Sequence, residues 1–221
     1  MTIPVVVSVF AFLAIAAAVD GGSLLLTWDE PVTRALSDLH SPGLDGIVRA
    51  LSTLGGLTVV TLVLLLLVLL VWHECRSLAL VLLGASLARP LLEWSLKELV
   101  DRPRPSLGQL VAGNGPSFPS GHVMAAFAIW GLLPPVVALV SGRRAAWWWS
   151  VGISATIIGV VAFSRVYLGV HWMSDVIGAL VLGALYLLGV EWLLGWHHRR
   201  RPCAGLEAGF DAIKTRGQDR P

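Results

Sequence analysis

The chain has 221 residues, 56% of them hydrophobic and only 14% charged, with a formal net charge of +2. Ordinary soluble domains carry about 25% charged residues, so the composition argues against a soluble fold. The chain also lacks the basic stripe with interleaved aromatics that a nucleic-acid surface needs.

A membrane-crossing helix needs roughly 20 mainly apolar residues. In chain order six stretches qualify: 3–19, 57–72, 78–99, 121–140, 146–163 and 175–194. The first ends in "AIAAAVD", which resembles a signal-peptide cleavage site. Its leading "MTI" holds no cation, however, so an uncleaved span is expected. Between the first two spans, turn signals at Gly21–Gly22, Ser41–Pro42–Gly43 and Gly55–Gly56 frame two short amphipathic helices, 31–39 and 44–54, suited to the membrane interface. His40, in the loop between them, reads as a polar loop residue. Pro134 and Pro135 predict a kink in the fourth span. The expected fold is all-α: a polytopic six-transmembrane-helix bundle with short interfacial helices, one domain over 1–196, and a polar cytoplasmic tail over 197–221, weakly ordered from Ala204. The adjacent His197 and His198 in that tail read as a solvated charge cluster rather than a metal site.

Cations near span ends set orientation. With the N-terminus inside, nine fall on inner segments (Arg76, Arg143, Arg144, Arg199, Arg200, Arg201, Lys214, Arg216, Arg220) and six on outer ones (Arg34, Arg49, Lys97, Arg102, Arg104, Arg165). The triplet Trp147–Trp149 suits an aromatic belt at the inner interface. Two cysteines, Cys75 and Cys203, are too few for a disulfide framework. Both fall on segments assigned to the inside, where thiols are expected to stay reduced.

Three polar clusters interrupt the apolar pattern: "KELVDRPRP" (97–105), "PSGH" (119–122) and "SRVYLGVHWMSD" (164–175). In a six-span topology all three junctions face the same side, which points to one site. Lys97, Arg104 and Arg165 together suit a group with several negative oxygens, since Arg offers a planar fork and Lys a compact charge. Ser120 stands at a helix N-cap position. The free N–H groups of Gly121 and His122 behind it would face an anion, and Gly121 permits close approach. His122 and His171 can move protons or attack near neutral pH. Asp175 lies four residues after His171, one helical turn away, where a carboxylate fixes the imidazole tautomer.

These motifs, K-x6-RP, PSGH and SR-x5-H-x3-D, together resemble the three-part signature of the type 2 phosphatidic acid phosphatase superfamily, and every signature position is matched. The resemblance covers Lys97–Asp175 by motif and most of the chain by span layout. It implies a membrane lipid-phosphate phosphatase in which His171 attacks phosphorus and forms a phosphohistidine. Asp175 would orient His171, and His122 would protonate the leaving oxygen and then activate water. Lys97, Arg104, Ser120, Gly121 and Arg165 would hold the phosphoryl oxygens. It further implies that no metal or cofactor is required, that the partners are a lipid phosphate and the bilayer, and that the site opens outside the cytoplasmic membrane of a bacterium.

Two residues are possible support. Ser164 either touches phosphate or bonds locally. Glu93 belongs to a ladder of alternating charge, Arg89–Glu93–Lys97–Asp101, and is expected to pair with Arg89 and position Lys97. Arg102 reads instead as a flanking charge that snorkels to the interface. A catalytically silent lipid-phosphate binder or transporter, a haloperoxidase and a phosphotransferase share parts of this pattern. The intact His122, His171 and Asp175 favour catalysis, and the spans disfavour the soluble haloperoxidases. The sequence leaves open which lipid is used, mono- against diphosphate preference, and the oligomeric state.

Overall fold

The structure is a computed structural model that describes residues 2–20, 27–203 and 206. The 204–205 and 207–221 parts of the tail and the turn at Gly21–Gly22 lie outside the described residues. The described chain is all-α: α1 (Thr2–Asp20), α2 (Asp29–Ser37), α3 (Pro42–Ser52), α4 (Leu57–Glu74), α5 (Arg76–Val100), α6 (Gly121–Trp130), α7 (Leu133–Ser141), α8 (Arg144–Tyr167) and α9 (Met173–Arg200). Five stretches are long and apolar enough to cross a membrane: α4, α5, α6 with α7, α8 and α9. The 19-residue apolar helix α1, which packs along α9, stands where the first of the six expected spans was read.

The α6–α7 span is the centre of the bundle. Some 72% of it is buried, against 22% of α4 and of α8. The outer helices show why an apolar run alone gives no face. In α4, Val60, Leu64, Leu67 and Val71 turn inward, while Leu62, Leu65, Leu66 and Leu69 are exposed although equally apolar. Such a surface suits lipid, not water. On the inner side α9 offers glycines for close packing. A Cβ on Gly183 would stand 2.7 Å from the Phe127 side chain, and one on Gly178 would stand 2.5 Å from Phe118.

The predicted break in the fourth span is present between α6 and α7. Pro134 and Pro135 lie in the first turn of α7 and have no N–H to give back to the preceding turn. The Trp130 carbonyl, which a helical residue 134 would have bonded, accepts instead from Ser154 Oγ of α8 at 2.7 Å. The two short helices expected between the first two spans are also present, as α2 and α3.

Two sequence expectations are corrected. Asp101 does not continue the charged ladder. It takes the left-handed conformation, φ 39°, and caps α5 with its N–H on the Lys97 carbonyl. The cysteines are not free thiols either. Cys75 and Cys203 are bonded to each other, Cα–Cα 5.8 Å, and tie the α4–α5 turn to the residues after α9. Their separation of 128 residues hid this proximity, which only the bundle creates.

Candidate active site

The site lies at the end of the bundle where α5 and α8 finish and α6 and α9 begin. Each element brings a different chemistry. The last turn of α5 carries Lys97, the last turn of α8 carries Arg165, and the loop between α5 and α6 carries Arg104. The start of α6 supplies Ser120, Gly121 and His122, and the α8–α9 turn supplies His171 just before Asp175 on α9. His122 is within electrostatic reach of Arg165, His171, Arg104 and Lys97, so the three sequence clusters do converge.

His171 is 2% exposed. Its Nδ1 lies 3.5 Å from Asp175 Oδ2 and its Nε2 lies 3.3 Å from Arg104 Nη1. An Nδ1–H aimed at the carboxylate leaves the Nε2 lone pair towards the cations. Burial lowers the His171 pKa to about 4, the attraction of Asp175 opposing this and the charges of Arg165 and Arg104 adding to it. The ring is therefore a neutral imidazole near neutral pH, the form that can act as a nucleophile.

Asp175 is fully buried and held from several sides. Oδ2 accepts the Trp172 N–H at 2.9 Å, and Oδ1 accepts Arg102 Nη1 at 2.5 Å. Arg102 also reaches Ser174 Oγ at 2.7 Å and, through Nη2, Asp29 Oδ2 at 2.8 Å. Asp29, 4% exposed at the start of α2, accepts in addition the Ser174 N–H at 2.9 Å and the Ser174 hydroxyl at 2.5 Å. Arg102 is thus no snorkelling flank. A snorkelling cation seeks water, whereas this one is shared between two buried carboxylates and stands over the Trp172 ring, 5.5 Å from its centroid. Sequence reasoning missed Asp29 altogether. Its only signal was an acidic pair opening a helix next to a proline, which many surface helices share.

The cations are already engaged. Arg104 gives Nε to the Gly115 carbonyl, Nη1 to Val170, and Nη2 to Asn114 and Pro116, at 2.8–3.2 Å. The same side chain lies against Gly113, where a Cβ would come 2.8 Å from Arg104 Cδ and 3.0 Å from its Nε and Nη1. Burial draws the Arg104 pKa below its ordinary value, opposed by Asp175. Lys97 Nζ bonds the Pro116 carbonyl at 3.1 Å and lies 4.0 Å from Glu93 Oε1, while Glu93 Oε2 takes Arg89 Nη1 at 2.6 Å. Glu93 therefore bridges Arg89 and Lys97, the expected arrangement. It also explains Gly121, since a Cβ there would fall 2.1 Å from Glu93 Oε1.

Among the phosphate-binding candidates, Ser120 Oγ and Arg165 Nε are buried with no hydrogen-bond partner among the described residues. Among the described residues Arg165 otherwise bonds only Ser52 Oγ, at 2.8 Å. Unsatisfied buried donors beside the free N–H groups at the start of α6 suit an anion. Ser164 takes no part, because its Oγ bonds back to the Val161 carbonyl at 2.7 Å. His40 is structural: its Nε2 donates to the Tyr167 carbonyl at 2.9 Å. No group of three His, Cys, Asp or Glu side chains able to hold a metal occurs among the described residues. A cavity of about 590 Å³ opens onto His122 and Arg165.

The chain resembles known proteins over most of its length. The family model of the PAP2 superfamily matches residues 77–201. Phosphatidylglycerophosphatase B of Bacillus subtilis (strain 168) is 30% identical over 195 residues, 84% of this chain and 92% of that protein. The crystal structure of a transmembrane PAP2 type phosphatidylglycerolphosphate phosphatase from Bacillus subtilis superposes with a TM-score of 0.77 at 27% identity, over 87% of this chain and 96% of that one. The undecaprenyl-diphosphatase of Sulfolobus acidocaldarius is 37% identical over 68 residues, 31% of this chain and 29% of that protein.

Proposed function

The chain belongs to the PAP2 superfamily, and from that premise we propose that this multi-pass membrane phosphatase cleaves the terminal phosphate of a membrane lipid through a phosphohistidine on His171. Lys97, Arg104, Arg165, Ser120 and the N–H groups of Gly121 and His122 hold the phosphoryl oxygens. His171 Nε2 attacks phosphorus while the bond to the lipid oxygen breaks in line with it, and that oxygen takes a proton from His122. Asp175 supports the positive charge that develops on the His171 ring. Water then gives a proton to His122 and attacks the phosphohistidine, which releases phosphate and restores both imidazoles. Phosphoryl transfer asks the protein mainly for positioning and charge stabilisation, which this set supplies.

The observation that carries the reading is the buried sequence His171–Asp175–Arg102–Asp29 behind an imidazole whose Nε2 faces a cation. Binding alone would need the cations but not this support. The substrate class is a lipid phosphate such as phosphatidic acid, phosphatidylglycerol phosphate or a polyprenyl diphosphate, presented from the outer leaflet. The end of the bundle opposite the site carries Arg76, Arg143, Arg144 and Arg199–Arg201, which favours termini inside and the site outside a bacterial cytoplasmic membrane. The Cys75–Cys203 bond lies at that same cation-rich end, and disulfides ordinarily mark an oxidising side. The cation bias is the stronger argument, since six arginines act together there.

The test is phosphate release by the purified protein from those three lipids, with EDTA present and with His171→Ala alongside. Release that survives EDTA and is lost in the variant, with phosphate on His171 after an alkaline quench, is expected. Release undiminished in His171→Ala would overturn the mechanism.

A further inference from the structure

The cavity above the site is lined by His122 and Arg165 but not by His171. In-line displacement puts nucleophile and leaving oxygen on opposite sides of phosphorus. The cavity is therefore on the leaving-group side, where whatever joins the scissile phosphate to the lipid must lie. From His122 and Arg165 it runs past Ser52 to Arg49 on α3, with Leu57 and Val111 also lining it. Leu57 is 77% exposed at the start of α4, so the apolar end of the cavity opens sideways towards the lipid.

Arg49 lines this cavity together with Arg165 and is a fourth cation beside Lys97, Arg104 and Arg165, outside all three sequence motifs. No carboxylate among the described residues pairs with it. Asp45, one turn earlier on the same helix, is occupied by the Tyr167 hydroxyl at 2.8 Å and the Ser41 N–H at 3.2 Å. The other three cations hold protein atoms, and the 93% buried Arg165 keeps its Nε unpartnered in the same cavity. A phosphate monoester joined directly to a glycerol or alkyl carbon gives Arg49 no anion to meet. A lipid with a second phosphate does, whether that phosphate is a diphosphate's inner one or a phosphodiester.

We infer that Arg49 forms a second anion subsite, which binds a phosphate group lying between the scissile phosphoryl group and the lipid tail. The inference rests on the phosphatase reading above and names the substrate class of that same site. It makes Arg49 a specificity residue: it lowers KM for such lipids and adds nothing to the attack by His171.

The test compares two lipids with one tail, dioleoylglycerol pyrophosphate and dioleoyl phosphatidic acid, by initial phosphate release from the full chain in detergent micelles. Arg49→Gln is expected to lower the ratio of kcat/KM, pyrophosphate lipid over phosphatidic acid, by about tenfold or more, the worth of one charge-assisted hydrogen bond. The loss should lie in KM, and Arg49→Lys should keep most of the ratio. Arg34→Gln, an exposed arginine paired with Glu30 outside the cavity, controls for general attraction of anionic micelles and should leave the ratio unchanged. A ratio within twofold of the unaltered protein in an active Arg49→Gln variant would overturn the subsite. A parent protein that releases phosphate from neither lipid would overturn the phosphatase reading, and the subsite with it.

Discussion

At the scale of single residues, the site is governed by how much charge is buried around two side chains. His171 is neutral because burial outweighs the pull of Asp175. As its pKa is lowered to about 4 from an ordinary value near 6.5, falling pH should leave the neutral ring in place well below 6.5. In a His122→Gln background, carbethoxylation of His171 by diethyl pyrocarbonate, followed by mass spectrometry of its peptide, should therefore keep its rate from pH 7 to pH 5. A rate that halves near pH 6.5 would mean an imidazole exposed to water. Arg102 is the second case. Removing one partner of a buried ion pair costs about 3 kcal/mol because it strands the other charge, and here two carboxylates would be stranded. Arg102→Gln should lower the thermal midpoint and lower kcat by about one to two orders of magnitude with KM nearly unchanged, while Arg102→Lys recovers part of both. A raised KM at full kcat would instead make Arg102 a substrate contact. No sequence pattern separates this arginine from Arg104 two residues later, since both stand in the same "RPRP" and differ only in the direction the loop turns them.

At the scale of elements, the central span is interrupted so that its upper half can serve the site. α6 is only ten residues long, begins at the cluster with Gly121 and His122, and is separated from α7 by Gly131 and Leu132. The break leaves the Trp130 carbonyl to Ser154. Ser154→Ala should cost about 1 kcal/mol in the parent protein, the usual worth of such a bond. In a Pro134→Ala/Pro135→Ala background, where the helix can regain its own donor, the same change should cost close to nothing. A thermal double-mutant cycle in detergent measures the coupling, and equal costs in both backgrounds would show that Ser154 does not answer the break. The prolines and the charged face of α5 were legible in the sequence because each is a local rule. The end of the ladder at Asp101 was not, because a left-handed cap by a non-glycine residue has no reliable sequence mark.

At the scale of the whole molecule, the bundle separates two ends. One holds the site. The other gathers exposed Trp148 and Trp149, Arg76 near Trp72, Arg200 over the Trp196 ring, and the Cys75–Cys203 bond. With the site outside, a cysteine introduced at Ala112, in a Cys75→Ser/Cys203→Ser background, should react with a membrane-impermeant maleimide in intact spheroplasts. One introduced at Ala145 should react only after lysis. The reverse pattern would turn the protein over and put the disulfide end on the oxidising side. The sequence by itself determined the helical class, five of the six expected spans, the two short helices α2 and α3, and the gathering of the motif residues at one end of the bundle, because apolar length, proline and polar side-chain types act locally or at fixed spacing. Only the tertiary structure decided that Asp29 and Arg102 stand behind Asp175, that Glu93 fills the space beside Gly121, that the cysteines meet, and that Arg49 lines one cavity with His122 and Arg165. Each of those depends on helices far apart in the chain packing to within a few ångströms, and a buried charge finds its partner by that packing, which no local pattern records.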